Sequence, residues 1–87
     1  MLKKKYFYKI YLNCRRGMLE LDLVLLNFLE IEYFNLDDCF LAKFEKLLSQ
    51  SDVDLYSWLI KGELCEDDCL VSIISKIRTV TSNLKFS

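Results

Sequence analysis

The chain has 87 residues, of which 53% are hydrophobic and 29% are charged, and its formal net charge is −1. This length and composition predict one packed domain over residues 1–87, and they give no basic footprint for nucleic acid and no apolar run near the ~20 residues that span a bilayer. With no histidine and only two glycines, the sequence excludes P-loops, glycine-rich dinucleotide fingerprints and histidine-based catalytic triads, so no enzyme and no catalytic residue is expected.

The spacing of apolar residues predicts an all-α protein, a single small bundle of about five helices. The first helix is predicted over residues 4–15, although its aromatic residues also suit a strand. The second is predicted over residues 18–33 as the central helix, covered on several sides because apolar residues surround it. Its buried side is predicted to comprise Leu21, Val24, Leu25, Phe28 and Leu29.

Three shorter helices are predicted to follow, each with a recognisable start. Asp37 is a candidate N-cap for a helix that ends near Leu48, and Asp52 is a candidate N-cap for one that Gly62 terminates. The fifth helix is predicted to begin near Cys65, with acidic residues in its first turn and basic residues near its end. The tail, residues 82–87, is expected to fray.

An Arg-Gly-x-x-Glu unit, made of Arg16, Gly17 and Glu20, separates the first two predicted helices. Arg15 and Arg16 would neutralise the negative end of the first helix, and Gly17 would take the positive φ of a tight exit. Glu20 could reach back to a free backbone N–H at the start of the second helix. The same charged corner also suits binding to a partner, and the two interpretations are compatible.

The chain resembles the FAD assembly factor family of succinate dehydrogenase, called SdhE in bacteria and assembly factor 2 in mitochondria. The resemblance rests on Arg-Arg-Gly-Met-Leu-Glu-Leu-Asp at residues 15–22 and on Asp-x-Asp-Leu-Tyr-x-Trp-Leu at residues 52–59. Residues 28–33 and the pair Leu47-Leu48 also match in order and spacing. The similarity covers roughly residues 5–77, and it implies a helical bundle, including a helix for the first segment.

This resemblance implies a chaperone that binds the flavoprotein subunit of succinate dehydrogenase, and of fumarate reductase in some members, and promotes covalent FAD attachment. In that chemistry a histidine of the flavoprotein attacks the flavin, so the factor supplies no nucleophile. We expect no stably bound cofactor, because FAD belongs to the partner. Since only 15 residues precede Arg16, too few for a mitochondrial presequence, a bacterial cytoplasmic location is expected.

The family motif implies that Arg16, Gly17 and Glu20 bind the partner, with Lys9, Arg15 and Met18 as second-rank candidates. We expect Gly17 to be the least replaceable residue, because a side chain would strain the turn and obstruct the partner. Val53 stands where the family usually has proline, a departure that affects a helix start and not the motif. Phe40 occupies a position where a glutamate is commoner.

Other signals receive simpler interpretations. The four cysteines include no Cys-x-x-Cys pair, so no metal site is predicted, and Cys65 and Cys69 are interpreted as buried, reduced thiols. Aromatic residues are assigned to the core, with Tyr8 as the exposed exception. The alternative functional class is a regulatory interaction module such as an antitoxin, and a domain that carries FAD itself is disfavoured because no phosphate-cradling loop exists. Copurifying partners distinguish these classes.

Overall fold

The structure is a computed structural model that describes the backbone of residues 2–82 and the side chains from Phe7 onward. Within these residues the chain contains five α-helices and no strand, which confirms the all-α prediction and a helix for the first segment. Residues 83–87, most of the tail predicted to fray, lie outside the described residues, as does the side chain of Tyr6. The elements are α1 (Leu2–Cys14), α2 (Leu19–Glu32), a 3-10 turn (Tyr33–Asn35), α3 (Asp38–Leu48), α4 (Asp52–Leu59) and α5 (Asp68–Val80).

Helix α2 is central and packs against α1, α4 and α5. Its buried face consists of the five residues predicted from the helical period: Leu21, Val24, Leu25, Phe28 and Leu29. The expectation that its remaining apolar residues are covered is wrong for Leu19, Leu23 and Ile31, which are 76%, 45% and 50% exposed. These residues lie off the buried face of α2.

The helix starts differ from prediction at two places. Asp37 caps α3 by accepting from the backbone N–H of Phe40, as expected. Helix α4 is capped by Ser51, whose hydroxyl oxygen accepts from the N–H of Asp54 at 3.2 Å, and not by Asp52, which is already helical. Helix α5 begins at Asp68, later than predicted, because its start is fixed by Asp67, which accepts from the N–H of Cys69 at 2.9 Å.

Helices α3 and α5 pack antiparallel, so that residue numbers rising along one fall along the other. Lys46 pairs with Asp67 at 3.3 Å, and Lys43 donates to the hydroxyl of Ser72 at 3.2 Å. One turn further along, the ring of Phe40 packs against the core cluster. The apolar residue that is unusual at this position therefore belongs to the contact between the two helices.

Two assignments to the core need correction. Phe34 is 64% exposed, although Tyr8 is exposed as predicted, at 63%. The prediction of a buried thiol is wrong for Cys69, which is exposed, whereas Cys65 is half-buried. In the 3-10 turn that contains Phe34, Tyr33 takes the buried position, and the α5 start places Cys69 in its solvent-facing first turn. All four cysteines are free thiols.

None of the helices within residues 2–82 combines the length and apolar character needed to cross a membrane.

Candidate functional site

The corner, residues 15–20, joins α1 to α2 and contains the Arg-Gly-x-x-Glu unit. Gly17 has φ of +85°, in the left-handed region where glycine is favoured. A Cβ built on Gly17 would meet no atom within 4 Å. The glycine is therefore required by the backbone conformation of the turn, while the space above it is open to a partner.

Arg16 anchors the corner to three other parts of the bundle. Its Nε donates to Oδ1 of Asp52 at 2.7 Å. Its Nη1 donates to the backbone carbonyls of Asn13 and Leu48, and its Nη2 to that of Gln50, each at 2.9 Å. Carbonyls at helix ends lack intrahelical partners, and the planar guanidinium satisfies those of α1 and α3 together. Arg16 thus ties the end of α1 to the end of α3 and the start of α4.

Asp22 holds the corner from the opposite side. Its carboxylate accepts from the backbone N–H of Arg16 at 2.8 Å and of Gly17 at 3.2 Å. The sequence predicted that Glu20 would accept from a free backbone N–H at this helix start. That prediction is wrong, because the carboxylate that reaches back belongs to Asp22, two residues later. Met18, the N-cap of α2, makes no side-chain capping bond. The sequence shows that the first turn of α2 is acidic, but it does not show which of the two carboxylates points toward the loop.

Glu20 makes no hydrogen bond or ion pair with any residue that the structure describes, and its side chain is only half-buried. Leu19 beside it is 76% exposed. Within the part of the chain that the structure describes, the carboxylate therefore keeps its hydrogen-bonding capacity unused. A carboxylate in this state binds a cationic or N–H donor of a partner at little cost.

The second-rank residues lie in different environments. Arg15 is exposed next to Gly17, whereas Met18 is half-buried against the core. Lys9 is exposed on α1, five residues before the helix ends and therefore about 8 Å from that end along its axis. The structure brings Arg15, Gly17 and Glu20 together by chain connectivity, and Lys9 flanks them at a distance.

The side chains of the corner suit electrostatic binding, and the cysteine beside them is not activated as a nucleophile. Cys14, directly before it, is fully buried, and this burial raises the pKa of its thiol to about 12, against a smaller lowering by the charge of Arg16. A thiol with such a pKa stays neutral and is a poor nucleophile. Among residues 2–82 no group of three or more potential metal ligands is placed to hold an ion.

Comparison with known proteins adds a family. A family model described as "Flavinator of succinate dehydrogenase" matches residues 8–81. Over 66 residues the chain is 47% identical to the FAD assembly factor SdhE of Legionella pneumophila (strain Lens), covering 76% of this chain and 82% of the relative. It is 39% identical over 71 residues to the namesake from Pectobacterium atrosepticum, covering 82% and 81%. No solved structure matches significantly.

Proposed function

We propose, because this chain belongs to the FAD assembly factor family of succinate dehydrogenase, that it binds the flavoprotein subunit of that enzyme and promotes covalent attachment of FAD. The family's members are named as assembly factors, so the chain has an assembly role in flavinylation and not an enzymatic one. The flavoprotein subunit of fumarate reductase is a second candidate partner. FAD stays with the flavoprotein throughout, and the chain holds no cofactor of its own.

The observation that carries this proposal is that some residues of the motif are hydrogen-bonded within the chain while others remain accessible to a partner. The motif implied that Arg16 binds the partner, but its guanidinium already donates to Asp52 and to three backbone carbonyls. We propose that Arg16 instead holds the corner in position, together with Asp22 just outside it. Gly17 and Glu20 are left open at the surface, so they touch the partner. A rigid corner loses little conformational freedom on binding, which favours affinity.

The corner promotes flavin attachment by selecting one conformation of the flavoprotein. A tenfold shift in a conformational equilibrium requires only ~1.4 kcal/mol of differential binding. One charge-assisted hydrogen bond that Glu20 accepts from the partner, present in the competent conformation and absent in others, contributes about that much. The covalent bond then forms between partner and flavin without any reacting group from this chain.

Copurification with a tagged flavoprotein subunit tests the proposal. Wild type and Glu66→Ala, a matched loss of an exposed glutamate outside the corner, are expected to copurify, whereas Glu20→Ala is expected to be lost. Gly17→Asn keeps a residue that tolerates positive φ but adds a side chain in the open space, so it is also expected to be lost. Equal recovery of Glu20→Ala and wild type would contradict the proposed contact.

A further inference from the structure

A second group of side chains, outside the corner, concentrates positive charge on the contact between α3 and α5. We name it the cationic cluster: Phe40, Lys43 and Lys76. The Nζ atoms of Lys43 and Lys76 lie 5.1 and 5.4 Å from the centroid of the Phe40 ring. The ring is half-buried and packs against the core, so it gives both ammonium groups a fixed support.

Neither lysine of the cluster is neutralised within the part of the chain that the structure describes. Among the described residues, no carboxylate lies within 4.0 Å of either Nζ; Asp37 and Asp38, near the start of α3, form no ion pair with them. Within the described residues, the pair makes one hydrogen bond, from Lys43 to the hydroxyl of Ser72.

The neighbouring Lys46 shows the contrast, since it pairs with Asp67 at 3.3 Å. The chain as a whole carries a net charge of −1, so unpaired positive charge here is local and not a general property of the surface. Two ammonium groups held on one ring repel each other, and an anionic group bound beside both would relieve that repulsion.

The cationic cluster is also arranged to bind an anion with little loss of side-chain conformational entropy. A free lysine side chain samples many rotamers and loses that freedom when it binds an anion. The interaction with the Phe40 ring and the hydrogen bond to Ser72 already restrict these side chains. Each ammonium still has donors left over, because an ammonium carries three N–H groups.

We propose that the cationic cluster is a second docking surface, which binds an acidic segment of the flavoprotein that the corner binds. This inference rests on the proposed function, and charge complementarity selects carboxylates as its ligands. Phe40 lies eight residues, or about 12 Å along α3, before Leu48, whose backbone carbonyl accepts a hydrogen bond from Arg16 of the corner. A standard interface of roughly 800 Å² per partner covers that span.

Binding kinetics of the full chain with the purified flavoprotein subunit test this inference across a salt series. The double variant Lys43→Ala/Lys76→Ala is expected to associate about tenfold more slowly at low salt and to lose most of the salt dependence of the association rate. Lys46→Ala, which removes a lysine already paired with Asp67, is the matched control and is expected to behave like wild type. Phe40→Leu keeps the apolar packing but removes the ring, and is expected to give an intermediate rate.

The outcomes separate this inference from the proposed function. If the double variant keeps the wild-type rate and salt dependence while Glu20→Ala still weakens binding, the cluster is not a docking surface and the proposed function stands. If wild type itself does not bind the subunit, both fail together. An equal loss from Lys46→Ala would show a general charge effect and would also overturn the cluster as a specific surface.

Discussion

Arg16 and Glu20 belong to one sequence motif, yet the structure places them in different environments. The guanidinium of Arg16 donates hydrogen bonds to Asp52 and to backbone carbonyls. Two of these carbonyls, those of Leu48 and Gln50, are more than thirty positions further along the chain. Glu20 has no partner within the described residues. The sequence predicts a charged corner, but it could not assign these tasks, because contacts between distant segments leave no periodic signal.

We predict that Arg16→Ala lowers the free energy of unfolding by about 2–4 kcal/mol, because it leaves several carbonyls and the carboxylate of Asp52 without their donor. Glu20→Ala is expected to change it by less than about 0.5 kcal/mol, because this half-buried side chain makes no hydrogen bond or ion pair within the described residues. Urea denaturation of both variants measures the difference. A comparable loss for both would mean that Glu20 also holds the corner.

Burial of the Cys14 thiol predicts a dependence of stability on pH. Its pKa rises from 9.0 to about 12 on folding, so above pH 9 the unfolded chain releases the proton while the folded chain keeps it. The contribution of the neutral Cys14 thiol to the free energy of unfolding is complete below about pH 9. Above that pH it falls by about 1.4 kcal/mol per pH unit, toward pH 12.

Denaturation of wild type and Cys14→Ala between pH 8 and 11 checks this, since other titrating groups cancel in the difference between them. The stability advantage of wild type is expected to shrink with rising pH. A difference that stays constant over this range would mean that the thiolate is tolerated in the folded state.

At the scale of the helices, the apolar period predicts which face is buried more reliably than capping residues predict where a helix begins. The buried face of α2 follows from the helical period alone, because five apolar residues recur at the spacing that one face requires. The starts of α4 and α5 were displaced because adjacent residues compete for each cap. Ser51 and Asp52 are both good N-caps, and the carboxylate of Asp52 instead accepts from Arg16, which lies between α1 and α2.

The cap assignment gives a prediction for α4. Ser51→Ala removes the acceptor of the Asp54 N–H and is expected to lower the free energy of unfolding by about 1 kcal/mol. Ser75→Ala, on the exposed side of α5, is the matched control and is expected to be neutral or slightly stabilising, because alanine is the better helix former. Equal effects in thermal denaturation would mean that Ser51 is not the cap.

For the whole molecule, the sequence predicts an all-α chain with a central α2, and both features are observed. It did not show how far the apolar residues off the buried face of α2 would be covered. Leu19 and Leu23 lie off that face, and the arrangement of the other helices leaves them exposed. The function assigned to the family agrees with a small bundle that carries a fixed, charged corner.

The most direct test of this account measures covalent flavin on the dehydrogenase flavoprotein subunit, by fluorescence of the denatured subunit, in cells that lack any other assembly factor. Wild type and Glu66→Ala are predicted to restore covalent flavin, and Glu20→Ala is predicted to give at least about tenfold less, in line with the loss of one charge-assisted hydrogen bond. Undiminished covalent flavin in the absence of this chain, or with Glu20→Ala in its place, would contradict the account.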